Sequence, residues 1–366
     1  GRTSDAGLKQ ALGSGLTDYL SGTTEWSGDV TIHKQQVDLA IRSTLVGMSS
    51  SLPAPLAKAV GDSVPLRIKL DDYVPLRIEK TLQGPRQDIV SLNYGNFLNA
   101  KLIRIEQKDE MHVERGEIGI NQQAEIPSQS GINVHGTLDH LNMDEWRTLL
   151  GESGTGKDST PSINKVDLAL NALDIFDRRI NQLKLNAKSS SDGWQVNLQS
   201  KEINGDAQWQ NKGNNKITAR LKNLTFPAAS PNKPAALPVP ANAKPRQQAQ
   251  DYPALDIIAD NFETNQKKLG RLELSASVQG EDWRIEKLQI SNPDSLLSAE
   301  GEWRSWKRNP NTRVNLNWDV KDIGTTLGNF GYPDMIKGGT AKLTGQLKWA
   351  GSPDEFNIAG LGGNLQ

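Results

Sequence analysis

Apolar and polar residues alternate over short stretches through most of the chain, and this period of two predicts β-strands with one apolar and one polar face. The clearest stretch lies near the C-terminus, where every second residue is apolar: Val314, Leu316, Trp318 and Val320. Similar stretches, separated by Gly, Pro, Asn and charged turns, recur from residue 25 to residue 303 and return at residues 341–349. The pattern predicts a mainly β protein.

Short helices are predicted where a helical period follows a capping residue. Asp322 precedes apolar residues spaced at i, i+4 and i+7, which form one stripe on a helix. Asn142, with Glu145 three residues later, is close to a capping box. Because each of these helices follows a strand, a strand-then-helix unit occurs twice, which suggests a module. Two further helices are predicted at Leu8–Leu20 and, after two prolines, at Leu56–Val60.

Residues 227–253 differ in composition from the rest of the chain. They contain seven prolines and almost no large apolar residue, so they cannot bury enough surface to order themselves. We therefore predict three parts. Residues 1–226 form a first β segment with a strand-helix module near 131–150, residues 227–253 form a flexible linker or loop, and residues 254–366 form a second β segment.

The charge balance excludes one class of partner. The 42 basic and 43 acidic residues are interspersed, so the chain lacks the basic stripe with which proteins neutralise nucleic-acid phosphates. The absence of cysteine excludes disulfides and thiolate metal sites. No apolar run approaches the roughly 20 residues of a membrane span. Because the sequence begins without Met and stops within a glycine-marked strand, we expect it to be a fragment.

Candidate catalytic motifs fail on their chemistry. The loop at residues 151–158 is one residue short of a phosphate-binding loop, but Asp158 stands where Mg²⁺ requires a hydroxyl, and Pro161 opposes the helix that should follow. His135 and His140 are five residues apart, which places them on opposite faces of an extended strand and disfavours zinc. Only convergence of both histidines with Asp144 around a metal would change this interpretation. We expect no enzyme, no metal and no cofactor.

Several short motifs, in this order along the chain, carry a family resemblance. Near the N-terminus these are Leu20-Ser21-Gly22 and Trp26-Ser27-Gly28, and near the C-terminus they are Gly331-Tyr332-Pro333, Gly338-Gly339, the run from Leu343 to Trp349, and Gly351-Ser352-Pro353. The sequence resembles the AsmA-like family, in its YhdP branch, of Gram-negative bacteria. The likeness covers nearly the whole chain and makes residues 254–366 similar to the AsmA-like C-terminal module.

The resemblance implies a periplasmic segment of a protein anchored in the inner membrane. Such a protein acts as a bridge that transports phospholipid toward the outer membrane, and it meets membranes through parts of the full-length chain outside this one. We expect an elongated, strongly curved antiparallel sheet with a few short helices, a β-groove whose apolar face shields acyl chains. The alternation suits a β-sandwich equally, so the alternative is a scaffold in envelope assembly that carries no lipid.

Alternation selects the candidate lipid-binding residues and leaves open which face they line. Trp194, Trp283, Trp318 and Trp349 also lie on alternating strands, where they either pack in a core or line a path for acyl chains. The twelve selected residues are Leu39, Ile41, Leu168, Leu170, Leu185, Val196, Leu272, Leu274, Leu316, Trp318, Leu343 and Leu347.

Overall fold

The computed structural model describes residues 1–13, 16–33, 36–72, 85–146, 163–175, 178–210, 215–227, 249, 252–264, 266–305, 310–330, 332, 334–353 and 360–366. These residues form 21 β-strands and a few short helices, which confirms the mainly β class. They divide into two compact units: unit 1 is Gly1–Ile175 with Lys184–Asn186, and unit 2 is Phe176–Leu183 with Ala187–Gln366. The division predicted at residues 227–253 stays a prediction.

Among its described residues, unit 1 contains the first ten strands, the α-helix α1 (Asp5–Leu12), a short 3₁₀ helix at Leu16–Tyr19 and helical residues at 143–146. The strands are β1 (Arg2–Ser4), β2 (Leu20–His33), β3 (Gln36–Ser43), β4 (Met48–Ser50), β5 (Leu66–Asp72), β6 (Gln87–Tyr94), β7 (Leu98–Gln107), β8 (Glu110–Ile120), β9 (Gly131–Asn142) and β10 (Ile163–Ile175). From β2 the ladder runs through β3, β5, β6, β7 and β8 in antiparallel pairs, and then through β9 and β10 in parallel pairs. β1 and β4 pair with the first part of β2.

Unit 2 contains most of β11 (Arg178–Ser190), the remaining strands and helix α2 (Ile323–Asn329). The strands are β12 (Gly193–Gln199), β13 (Ile203–Gln210), β14 (Lys216–Phe226), β15 (Ala254–Thr264), β16 (Lys267–Gln279), β17 (Asp282–Asn292), β18 (Ser295–Arg304), β19 (Asn311–Val320), β20 (Ala341–Ala350) and β21 (Gly362–Leu365). From β12 to β21 each strand pairs with the next; the β14–β15 pair is parallel and the others are antiparallel.

Most of the described strand pairs are antiparallel, as expected, but the sheet is mixed because three pairs are parallel. Parallel pairs occur at β8–β9, β9–β10 and β14–β15, each after a long connection. A hairpin can join only antiparallel strands, whereas a long connection returns the chain to the end at which the previous strand began. β14 and β15, which residues 227–253 join along the chain, thus pair directly with each other in parallel.

The helix predictions had mixed outcomes. Both caps are confirmed: the Asp322 carboxylate accepts a hydrogen bond from the Thr325 backbone N–H at 3.1 Å, and the Asn142 side-chain oxygen accepts from the Glu145 N–H at 3.3 Å. The helix predicted at Leu8–Leu20 ends early, because α1 stops at Gly13 with φ of +83°.

The helix predicted at Leu56–Val60 was wrong. This stretch forms turns, with an isolated β-bridge between Ser50 and Lys58. The Lys58 ammonium is buried there and donates hydrogen bonds to the Met48 and Ala59 carbonyls at 2.7 and 3.0 Å. The loop at residues 151–158, with its resemblance to a phosphate-binding loop, lies outside the described residues.

Gly205 of β13 tests how tightly adjacent strands approach. Its φ is +147°, and a Cβ at this position would overlap the carbonyl oxygen of Arg220 on β14. We expect Gly205→Ala to lower the free energy of unfolding by about 1–3 kcal/mol, the range for strained backbone, in urea denaturation. In the control Gly328→Ala, on α2, a Cβ meets open space, and we expect a gain of about 0.5–1 kcal/mol. Equal effects of the two substitutions would contradict this account.

Candidate functional site

The strand registers of unit 1 place alternate apolar residues on one face, which we call the N face. One row of directly paired residues crosses eight strands: Gly28, Ile41, Ile68, Leu92, Ala100, Ile118, Val134 and Val166. The adjacent row on the opposite face is mainly polar: Ser27, Arg42, Arg67, Asn93, Asn99, Gly119, His135 and Asp167. The sheet of unit 1 therefore has one apolar and one polar side.

Unit 2 has the same asymmetry, and we call its apolar side the C face. A single row crosses all ten strands from β12 to β21: Val196, Ala207, Ala219, Ile257, Leu274, Leu288, Ala299, Leu316, Gly345 and Leu365. The neighbouring row on the other side contains one apolar residue: Asn197, Asp206, Arg220, Ile258, Glu273, Gln289, Ser298, Asn317 and Thr344. Side-chain parity is thus kept across parallel and antiparallel pairs alike.

Both faces combine buried and accessible apolar side chains. Ala219, Leu221, Ala259 and Leu272 form a buried cluster on the C face, and the partly buried residues packed against it come from the same and neighbouring strands. On the N face, the β2 side chains of Val30 and Ile32 are 62% and 70% exposed. A large apolar surface that is partly open to water is typical of a binding surface.

The registers place eleven of the twelve predicted residues on these faces. Leu39, Ile41, Leu168 and Leu170 lie on the N face. On the C face lie Val196, Leu272, Leu274, Leu316, Trp318, Leu343 and Leu347. Leu185 of β11 lies on the same side of its strand as buried Leu183. Leu170 and Leu272 are buried, and the other ten are half-buried. Contact of these residues with lipid stays a prediction.

Tryptophans gather at one end of the C face, at the ends of its strands. Trp194 pairs with Trp209, Trp283 with Trp303, and Thr312, next to Trp303, with Trp349. Alternation in the sequence predicts a strand around each tryptophan. Only the strand register shows that the five tryptophans lie at the same end of the C face. At the opposite end, the rings of Trp318 and Phe330 meet edge to face at 5.8 Å, where α2 approaches β16.

A buried ion pair interrupts the N face and was missed from the sequence. Asp88 of β6 pairs with Arg104 of β7, on the side that holds Val90 and Leu102. The Arg104 guanidinium donates two hydrogen bonds to the Asp88 carboxylate, at 2.8 and 2.7 Å, and these raise the pKa of Arg104. The Asp88 side chain is only 4% exposed. The sequence did contain a signal for this pair, because Asp88 and Arg104 are charged residues at positions of their strands that are otherwise apolar.

The polar side of unit 1 carries a cavity of about 540 Å³, lined by residues that include Glu117, Asn133, His135, Lys165 and Asp167. The His135 ring lies 3.4 Å from the Glu117 carboxylate. Within the described ranges, no three metal-ligating side chains converge, and no helix is long and apolar enough to cross a membrane.

His140 lies on the other face of β9 from His135, as their spacing predicted, and its ring contacts the Asp174 carboxylate at 2.8 Å. The two histidines therefore do not share a site. The apolar faces are the strongest candidate for function.

Comparisons with known proteins agree on one family. A family model described as YhdP protein matches residues 1–366. The chain is also similar to a curated protein of Escherichia coli (strain K12), the intermembrane phospholipid transporter YhdP, with 23% identity over 366 residues. That match covers 96% of this chain and 28% of the relative, so the chain spans less than a third of the relative's length. No solved structure matches the chain.

The Asp88–Arg104 pair allows a stability test on the N face. Arg104→Leu leaves a buried carboxylate without its partner, so we expect the free energy of unfolding to fall by about 3–5 kcal/mol in urea denaturation. The double variant Asp88→Leu/Arg104→Leu removes both charges and extends the apolar face, so most of the stability should return. A double variant as unstable as the single one would show that the pair is required for folding.

Proposed function

Because the chain belongs to the YhdP family, we propose that its two apolar faces carry the acyl chains of phospholipids as part of an intermembrane lipid transporter. The finer proposal is a periplasmic segment of a bridge, anchored in the inner membrane by other parts of the full-length protein. Phospholipid is the proposed ligand, and the proposed membrane contacts belong to the longer chain.

The observation that carries this proposal is the apolar row across ten strands of the C face with a polar row behind it. Shielding an acyl chain from water is worth about 0.8 kcal/mol per methylene, and this contact needs no directed bond. A lipid headgroup could remain in water at the margin of such a face. Transport by this route breaks no covalent bond, so it requires no catalytic residue and no cofactor.

The polar side of unit 2 supports the same proposal because its charged side chains favour contact with water. Arg220 and Lys216 flank Asp256 at 2.9 and 3.5 Å, and Lys287 lies 2.6 Å from Glu273. Hydrogen bonds from Arg220 and from Lys287 lower the pKa values of Asp256 and Glu273, respectively. The polar side therefore stays charged at neutral pH and is a poor surface for acyl chains.

The alternative scaffold function would require two sheets packed about 10 Å apart, with their apolar faces filled by each other. The described strands of each unit instead join edge to edge in one ladder, through contacts between neighbouring strands. Those contacts favour an apolar face that remains available to a ligand.

The proposal is tested by purifying the chain from a Gram-negative periplasm without detergent and measuring bound phospholipid by native mass spectrometry with lipid extraction. Leu274→Asp/Leu343→Asp places two carboxylates on the C face, where acyl contact would strip them of water. We expect phospholipid to co-purify with the parent chain and at least about tenfold less with the double variant, since even about 1.4 kcal/mol produces that factor.

A matched control adds the same charge to the other side of the sheet. Ser298→Asp/Thr344→Asp lies on the polar side of β18 and β20, where Ser298 pairs with Gln289 and Asn317 and Thr344 pairs with Asn317. We expect it to retain phospholipid. Circular dichroism must show that both variants are folded. A folded parent chain that carries no phospholipid would favour the scaffold.

A further inference from the structure

Part of the C face is covered by the chain itself. Ala249, Tyr252 and Pro253, which precede β15 and which we call the strap, contact the tryptophan end of that face. The Ala249 backbone N–H donates to the Ser305 hydroxyl at 3.0 Å, and Ala249 is almost fully buried. Together with Ala276, Trp283 and Trp303 it forms one buried cluster. The strap therefore occupies apolar surface that the register assigns to the C face.

Aromatic contacts and a hydrogen bond from Trp283 hold the strap on the C face. The Tyr252 ring meets the Trp303 ring edge to face at 4.9 Å, and its centroid lies 6.0 Å from that of Trp283. The Trp283 indole N–H donates to the Pro253 carbonyl at 3.0 Å. Beneath the strap, these contacts leave Trp283 and Trp303 only 4% and 2% exposed.

Trp303 is almost fully buried, yet within the described part of the chain its one side-chain polar group is unpaired. Its indole Nε1–H finds no hydrogen-bond acceptor among the described residues. Buried donors are nearly always paired, because leaving one without a partner costs the full desolvation of that group. At the same end of the C face, Trp349 donates to the Ser352 carbonyl at 2.9 Å and Trp209 to the Asn215 side chain at 2.8 Å. Trp303 therefore keeps a buried donor that none of the described residues satisfies.

We propose that Trp283 and Trp303 form a binding site for the ester or phosphate oxygens of a phospholipid, and that the strap occupies this site until a lipid displaces it. The inference rests on the proposed function and adds a defined place for the polar part of the ligand. Indole rings suit that place, because an apolar ring contacts the acyl chains while its N–H reaches the polar level, as at membrane interfaces.

The dimensions of the C face agree with this assignment. From Trp303 to Leu297 along β18 there are six residues, or about 20 Å at about 3.3 Å per residue. One leaflet of a bilayer has a hydrocarbon depth of about 15 Å, half of the whole core. Acyl chains whose glycerol end lies at Trp303 therefore fit along the strands, toward the buried cluster that contains Ala259 and Leu272.

The displacement exchanges one set of contacts for another. The lipid takes the apolar surface that Tyr252 covers and accepts the hydrogen bond that Trp283 gives to Pro253. In addition it accepts a hydrogen bond from Trp303, which the strap does not satisfy. A phospholipid thus gains a bond that a pure hydrocarbon cannot form, and the site prefers glycerolipids to other apolar molecules.

A reversible disulfide tests the strap, because the chain contains no cysteine of its own. Ala249→Cys/Ser305→Cys replaces two neighbouring residues, whose backbone N–H and side-chain hydroxyl share a 3.0 Å hydrogen bond, and oxidation links the two cysteines through a disulfide. The readout is binding of NBD-labelled dioleoyl phosphatidylethanolamine to the 366-residue chain. We expect affinity at least about tenfold weaker when oxidised than when reduced. Equal affinity in both states overturns the strap, whereas no binding by the parent chain overturns the proposed function itself.

Trp303→Phe tests the donor. It removes the N–H and breaks no bond within the protein, so we expect phospholipid affinity about three- to tenfold weaker, the effect of one lost hydrogen bond. A fluorescent alkane without oxygen atoms serves as the second probe, and its affinity should change less. Trp349→Phe is the matched control for ring size, and we expect it to affect both probes equally. Equal weakening of both probes by Trp303→Phe overturns the donor role.

If Trp303→Phe does not fold, Tyr252→Ala provides an independent measurement of the same site. It removes the ring that covers both tryptophans, so we expect faster phospholipid association by several-fold. Association that stays at the parent rate contradicts the proposal.

Discussion

Constant side-chain parity across the described pairings of each unit is the constraint on which this structure depends. A slip of one residue in any strand would move its apolar side chains to the polar side. The bulge in β17 shows how the register is protected: Ser275 pairs with Lys287 while Ala276 pairs with Ile285, and Glu286 is the extra residue. The Glu286 carboxylate accepts hydrogen bonds from Ser277, Gln279 and Ser275, which lower its pKa. A charged residue held on the polar side therefore returns Ile285 to the apolar side.

The sequence predicted the faces better than the connections. Alternation is a local signal, so residues such as Leu316 and Trp318 could be placed on one side of a strand from their neighbours alone. Which strands pair in parallel is not local, since it depends on where a long connection returns the chain. The same limit explains the aromatic end of the C face. Trp283 and Trp303 are 20 residues apart and become partners only through the register of β17 and β18.

Two features broke the local rules and were missed for that reason. Asp88 and Arg104 occupy apolar positions of their strands, where either charge alone would be costly, and only the cross-strand pairing of the two makes them compatible with burial. The strap lies in a segment whose composition predicts no packing at all. Its contacts come from Tyr252 and from backbone groups of Ala249 and Pro253, which an inventory of apolar side chains does not weigh.

The Asp88–Arg104 pair and the strap have different consequences for the proposed transport. Apolar contact is non-directional, so an acyl chain gains nearly the same free energy wherever it lies on either face, and small displacements cost little. Directed hydrogen bonds are the exception, because they favour one position. Asp88 and Arg104 direct their hydrogen bonds at each other, so this pair offers a passing lipid little to bind. In the proposed site, the unpaired donor of Trp303 would favour one position of a lipid on the C face, and the strap sets what that lipid must displace to reach it.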